Sequence, residues 1–299
     1  MAKSNWSSDQ IPDQKGRMAI ITGATSGLGK EAARVLGIKN ATVIMAVRNL
    51  KKGEGVIAEA KAQHPGADVQ VRELDLGSLD SVKSFAQSVQ KDFNRLDILI
   101  NNAGVMMCPF STTEDGFEIQ MGTNHLGHFA LTGHLLPLLK KTPGSRVVTT
   151  SSAGHKMGNI DFSDINWEKR KYNTRKAYAD SKLANLYFMY ELARKLEPEG
   201  NNPTVVASHP GWTSTELQRH SGTFMFLNKF FGQGAEMGTL PTLRAAIDPG
   251  TKPGDYYGPS GFMEMHGHPV KVQSNKLSHH RENARKLWEM SEAMTGVRY

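Results

Sequence analysis

A single cysteine, Cys108, in 299 residues excludes an internal disulfide, and no cysteine cluster offers a thiolate metal site. No stretch approaches the roughly 20 apolar residues that a membrane-spanning helix needs. The polar start MAKSNWSSDQIPDQKGR lacks the apolar core of a signal peptide. A cytoplasmic protein without a transmembrane segment is therefore expected. Charge of one sign is not concentrated either. The net charge of +7 comes from 36 basic and 29 acidic residues, scattered apart from local groups at Lys51-Lys52 and Lys169-Arg170-Lys171. A nucleic-acid binder gathers its basic residues into one stripe or arm, so no nucleic-acid partner is expected. The nucleophile elbow GxSxG is missing, which argues against a hydrolase. Repeats, low-complexity runs and interdomain linkers are also lacking, and the length suffices to bury one core without staples.

What is present is an alternation. Short apolar runs at 18–22, 41–47, 68–74, 96–101, 145–151 and 204–208 read as strands, and amphipathic segments at 29–38, 51–63, 78–92, 116–140 and 176–197 as helices. Continuous β-branched strands interleaved with helices imply a parallel sheet covered on both faces. Right-handed crossovers make this a single-domain, doubly wound α/β fold. From residue 218 the pattern changes. SGTFMFLNKFFGQGAEM is rich in Phe and Met without a strand alternation. Such a segment packs as core, covers a site as an apolar lid, or, third in rank, touches a membrane interface. A substrate loop is expected over about 212–240.

The first strand runs straight into TGATSGLGKEAARVL, with Gly23, Gly27 and Gly29 spaced GxxxGxG at a strand-to-helix turn. Glycines there let the backbone turn sharply and approach a pyrophosphate lying against the helix N-terminus. At the end of the second strand, MAVRN offers Arg48 and Asn49 and no acid. An acid would bind a ribose 2′-hydroxyl and repel a 2′-phosphate, whereas Arg48 pairs with one, so NADP(H) is expected over NAD. Asp75, after the third strand, either bonds an adenine amino group or caps the next helix. NNAG at 101–104 falls at the carboxyl end of the fourth strand, where a ligand crevice is expected. Tyr178 and Lys182 stand four apart, on one helix face. A free phenol has a pKa near 10, too high for acid–base work at neutral pH; a neighbouring ammonium favours the phenolate.

With Asn124, SS at 151–152 and HPG at 209–211 added, the order of motifs resembles the short-chain dehydrogenase/reductase family from residue 15 onward. NNAGVMMCP, TEDGFE, TNHLGHF, DSKLAN and HPGW are most similar to its retinol dehydrogenase subgroup, beside the WW-domain oxidoreductases and bacterial ketoreductases of the daunorubicin type. The resemblance implies a Rossmann-type fold and a catalytic set of Ser152, Tyr178, Lys182 and Asn124. Tyr178 exchanges the proton, Ser152 bonds the developing alkoxide and Lys182 also holds the nicotinamide ribose. Asn124 joins a water-mediated relay to Lys182. Thr25, Ser26, Leu28, Leu76, Asn102, Ala103, Gly104, Pro210, Gly211, Thr213 and Thr215 are added to the cofactor contacts. Ser152 rather than Ser151 is chosen by the same alignment. Members of the family often form homo-oligomers. The implied activity is NADP(H)-dependent interconversion of an alcohol and an aldehyde or ketone, on a small-molecule substrate that the apolar 218–231 suggests is lipophilic or bulky.

Two competing readings are a non-catalytic NADP-binding sensor or scaffold and a C=C reductase like the protochlorophyllide reductases. His125 and His128 are spaced three apart but lack a third ligand, so packing is expected rather than a metal. Cys108 reads as buried and inert. The 25 residues between Ser152 and Tyr178 are expected to form a wall of the substrate entrance.

Overall fold

The structure, a computed structural model, describes residues 5–196, 202–213 and 233–299. Thr215 and the segment 218–231 lie outside the described residues. One eight-stranded sheet forms the centre: β1 (Met18–Thr22), β2 (Thr42–Val47), β3 (Val69–Glu73), β4 (Ile98–Asn101), β5 (Arg146–Thr150), β6 (Thr204–Ser208), β7 (Tyr256–Pro259) and β8 (Pro269–Lys271). Their spatial order is β3-β2-β1-β4-β5-β6-β7-β8, parallel throughout except β8, which runs antiparallel to β7. Direction of growth reverses between β1 and β4, which opens a crevice at the strands' carboxyl ends.

Helices α1 (Gly27–Ile38), α2 (Leu50–Gln63), α3 (Leu79–Asp92), α4 (Gly127–Lys141), α5 (Thr174–Leu196), α6 (Ala235–Ile247) and α7 (Arg281–Thr295) flank the sheet. Alternate residues of each strand serve opposite cores. Ile20 and Ile44 pack with Phe85, Phe129, Phe188 and Trp288 of α3, α4, α5 and α7. Ile21 and Val43 pack with Leu36 of α1 and Leu240 and Leu243 of α6. Both faces being apolar explains why the strands read as continuous rather than alternating hydrophobic runs.

Two expectations need correction. The helix expected over 116–140 is interrupted. A single turn at Ile119–Met121 is followed by a π-helical stretch, Gly122–Leu126, before α4 begins. Glu118 accepts the amides of Gln120 (3.0 Å) and Met121 (2.7 Å), fixing the first turn. The extra residue of the π turn is held by Asn124, whose Oδ1 accepts the Val105 amide at 2.8 Å and whose Nδ2 donates to Val105 O and Ser181 Oγ, each at 2.9 Å. Second, the part of 212–240 that begins α6 is not a loop. Gly238 packs on Thr213, Thr239 Oγ1 donates to Leu28 O (3.2 Å), and Leu240 is buried. Strands β7 and β8 and helix α7 had no counterpart in the sequence reading.

Candidate active site

A cavity of about 840 Å³ opens at the carboxyl ends of the strands. Its first wall is the turn from β1 into α1. Gly23 sits at φ 68° and Gly27 at φ 53°, left-handed positions that favour glycine. Ser26 precedes α1 without a side-chain cap. The first-turn amides, which have no intrahelical acceptor, stay available at the positive end of the helix dipole. This fits a pyrophosphate. Thr25, Ser26, Gly27 and Leu28 face the cavity, while Gly29 lies behind it. A Cβ at Gly29 would stand 2.6 Å from both Gly23 O and Asn102 Nδ2, so this glycine permits close packing of helix on strand. Underneath, Thr22 Oγ1 accepts the amides of Asn102 and Ala103 (2.9 Å each), and Asn102 Nδ2 donates to Thr22 O. These bonds carry Asn102, Ala103 and Gly104 to the cavity floor.

At the end of β2, Arg48 and Asn49 are exposed at the cavity. Asn49 Oδ1 accepts the Lys52 amide at 2.9 Å and so starts α2. Lys52 also borders the cavity, placing a second cation beside Arg48. Asp75 and Leu76 form the adjacent edge. Asp75 Oδ1 accepts the Gly77 amide (2.8 Å), and the cap of α3 is Ser78 rather than Asp75.

Tyr178 and Lys182 project from α5 into the same space, 7% and 3% exposed. The two neighbouring serines part company here. Ser151 is buried and its hydroxyl donates to Lys182 O at 2.9 Å. Ser152 is half-exposed at the cavity, beside the Tyr178 ring, and its Oγ accepts the Gly154 amide at 3.1 Å. Lys182 Nζ lies 5.7 Å from the centre of the Tyr178 ring and donates to Thr150 O at 3.2 Å. The expectation that the lysine depresses the tyrosine pKa is not met in this arrangement. Burial raises Tyr178 above its usual value, only partly offset by Ser152, and burial pushes Lys182 down to about 8. Asn124 is fully buried, and its side chain bonds Val105 and Ser181 rather than Lys182.

The opposite wall joins Pro210, Gly211, Trp212 and Thr213, after β6, to Met263, Glu264 and Met265. Met106, Met107 and Met157 add further thioethers. Cys108 is half-buried and faces the cavity, which corrects the expectation that it is buried. Of the long segment after Ser152, only its start (Ala153, Gly154, Lys156, Met157) reaches the cavity; Ile160 and Ile165 turn inward to pack with Leu183 and Tyr187, and Trp167 is buried against Tyr172 and Arg170.

A family model described as short chain dehydrogenase matches residues 17–224. The chain belongs to that family. This short chain dehydrogenase is 48% identical to Retinol dehydrogenase 13 of Homo sapiens over 207 residues, 69% of this chain and 62% of that protein's length. It is 41% identical to Retinol dehydrogenase 12 of Homo sapiens over 295 residues, 97% of this chain and 89% of that protein. It is thus a retinol dehydrogenase-like member, an oxidoreductase of alcohol and carbonyl groups. Among solved structures, an uncharacterised protein from Mycobacterium paratuberculosis is similar, with TM-score 0.84, 40% identity and 99% of both chains covered. A short chain dehydrogenase of Escherichia coli complexed with NADPH has TM-score 0.58 and 29% identity, over 71% of this chain and 83% of that one.

The dehydrogenase thus gathers at one cavity all its sequence-expected residues among those described, except Gly29 and Asn124, which stand behind it. Lys52, in the first turn of α2, was not among the expected site residues. The sequence reading also missed the methionines and Glu264, for which no local pattern exists. His125 and His128 are buried and hydrogen-bonded. His128 bridges Thr22 Oγ1 (2.9 Å) and Asn124 O (3.0 Å), His125 meets Ser291 Oγ (2.9 Å), and burial lowers them to about 4 and about 3. Among the described residues no group of three potential ligands could hold a metal, and no helix is long and apolar enough to cross a membrane.

Proposed function

We propose that this dehydrogenase uses NADP(H) to interconvert an alcohol with an aldehyde or ketone on a lipophilic or bulky substrate. The observation that carries the reading is that Tyr178, Ser152 and Lys182 line the same cavity as the glycine turn. Gly23 to Leu28 would hold the pyrophosphate, and Arg48 with Lys52 the 2′-phosphate, since no acid stands beside them at the end of β2. Lys182 and the backbone of Pro210 and Gly211 would hold the nicotinamide end. A bound nicotinamide dinucleotide supplies or accepts the hydride. Tyr178 moves the proton to or from the substrate oxygen, and Ser152 Oγ–H donates to that oxygen as charge develops on it. Burial keeps the phenol protonated, the form that carbonyl reduction needs. Lys182 is protonated below about pH 8, so at neutral pH it would present a cation to the nicotinamide ribose hydroxyls. Five methionines at the cavity favour an apolar substrate, because thioethers adapt to irregular shapes.

The test is oxidation of NADPH and of NADH against aliphatic, aromatic, retinoid and polycyclic carbonyls. NADPH is expected to be preferred. Tyr178→Phe should lower turnover by at least about a hundredfold while cofactor affinity is kept. Undiminished turnover in that variant removes Tyr178 from its role. Cofactor binding with no oxidation on any carbonyl would favour a sensor, and a saturated ketone formed from an enone would favour C=C reduction.

A further inference from the structure

Three segments remote in sequence converge on one carboxylate at the cavity rim. Glu264 Oε2 lies 2.9 Å from Nε2 of His209, an imidazole at the end of β6 with no exposure to solvent. Glu264 Oε1 lies 3.8 Å from Nζ of Lys156, in the turn that follows Ser152. His209 Nδ1 accepts the Gly211 amide at 3.2 Å, which leaves the ring proton on Nε2, toward the carboxylate. The approach is close but off the line of an aligned hydrogen bond, so the contact is chiefly electrostatic. His209 holds the Glu264 carboxyl below the usual carboxylate range, against the opposing effect of burial.

The backbone is shaped around this contact. Met263 and Glu264 adopt φ 51° and 58°, left-handed conformations disfavoured for residues with a Cβ. Gly258 of β7 leaves the space that the imidazole fills, because a Cβ there would overlap Nε2 of His209. The same rim segment bonds the turn a second time: the Trp212 amide donates to Met265 O at 2.8 Å. At Gly211, φ is 67° and a Cβ would stand 2.5 Å from Met265 O. A solvated surface ion pair would contribute little. Here one partner is wholly buried and the other is 25% exposed.

We infer that Glu264 is a positioning residue: through His209 and the Gly211 amide it fixes the turn 210–213, and through Lys156 it sets that turn's separation from the serine segment. Its effect on cofactor affinity rests on the cofactor reading above, whereas its effect on the turn does not.

Amide hydrogen exchange of the full chain without added cofactor, joined to fluorescence titration with NADPH, tests both parts. Glu264→Ala should speed exchange at Gly211 and Trp212 about tenfold, leave Val147 and Val148 of β5 unchanged, and weaken NADPH about tenfold. Glu264→Gln, which keeps the size and an acceptor but removes the charge, should recover only part of both effects. If the alanine variant folds poorly, Lys156→Ala together with Glu264→Gln provides the graded series, with smaller shifts at the same two amides. Unchanged exchange at the turn overturns the inference, as does faster exchange spread equally through β5, which would mean general loosening. Faster local exchange with unaltered NADPH affinity overturns the cofactor part. Failure of the unaltered chain to bind NADPH sinks the cofactor reading instead, and the exchange result still decides the turn.

Discussion

Gly23–Leu28 make one wall of the cavity from contiguous positions, whereas the facing wall is assembled from Pro210–Thr213 and Met263–Met265, two stretches with a helix and a strand between them among the described residues. The first depends on side chains that are missing, so that backbone approaches backbone. The second depends on side chains that are present, a buried imidazole, a carboxylate and an ammonium, and on non-glycine residues held in left-handed backbone. The proposed catalytic groups, Ser152 after β5 and Tyr178 and Lys182 of α5, line the same cavity. A wall made of turns leaves a spacing in the sequence; a wall made of tertiary contacts leaves none.

The sharpest contrast is expected between the walls, at the serine pair. Ser152→Ala should lower kcat about a hundredfold or more with the melting temperature kept, because a donor to the reacting oxygen is lost. Ser151→Ala should do the reverse, keeping kcat and costing about 1 kcal/mol of stability through the lost bond to Lys182 O. Steady-state kinetics and thermal melts read both, and the opposite pattern would exchange their assignments. At the glycine wall, Gly29→Val forces a side chain against Gly23 O and Asn102 and should weaken NADPH about a hundredfold or prevent folding. A fluorescence titration near the unaltered affinity would show that α1 can withdraw without consequence. On the facing wall, Gly211→Ala meets both a left-handed φ and the Met265 carbonyl. A loss of roughly 1–2 kcal/mol in chemical denaturation is expected, and no loss would mean the rim yields freely.

The smallest effect concerns pH and stability. Burial lowers Lys182 from 10.5 to about 8 in the folded chain. Below about pH 8 both folded and unfolded chains carry the proton, and the penalty of burying a cation is fully present. Between about 8 and 10.5 the unfolded chain binds more protons, so folding is increasingly favoured as pH rises. Lys182→Met removes this dependence. Its melting temperature should exceed that of the unaltered chain by roughly 5 °C at pH 7, a gap that narrows as pH climbs through that window. A gap that widens with pH would contradict the sign.

Legibility in the sequence followed the same division. Strands β1, β2, β4, β5 and β6 could be read because they are buried nearly throughout, the edge strand β3 because Val69 and Val71 alternate with polar residues, and the glycine turn because its φ values restrict residue choice. Tyr178 and Lys182 were visible as a helical spacing, but the balance of burial against charge that sets their pKa values was not, since it depends on what packs over α5. Strand β8 is three residues long and β7 four, too short to show a period. Glu264 lacks any neighbour in sequence that reveals its partner, because His209 follows β6, 55 residues earlier in the chain.

The π turn at Gly122–Leu126 has a mechanical consequence. It accommodates one residue beyond the α-helical count, and each residue of an α-helix advances the chain by about 100°. Deleting a single codon there would restore a regular helix and rotate everything upstream of α4 against everything within it. Asn124, tied to the β4 exit, and His128, tied to the end of β1, would then no longer both reach their anchors. The stretch is a phase adjuster between two strand ends, buried at four of its five positions and intolerant of any change in length.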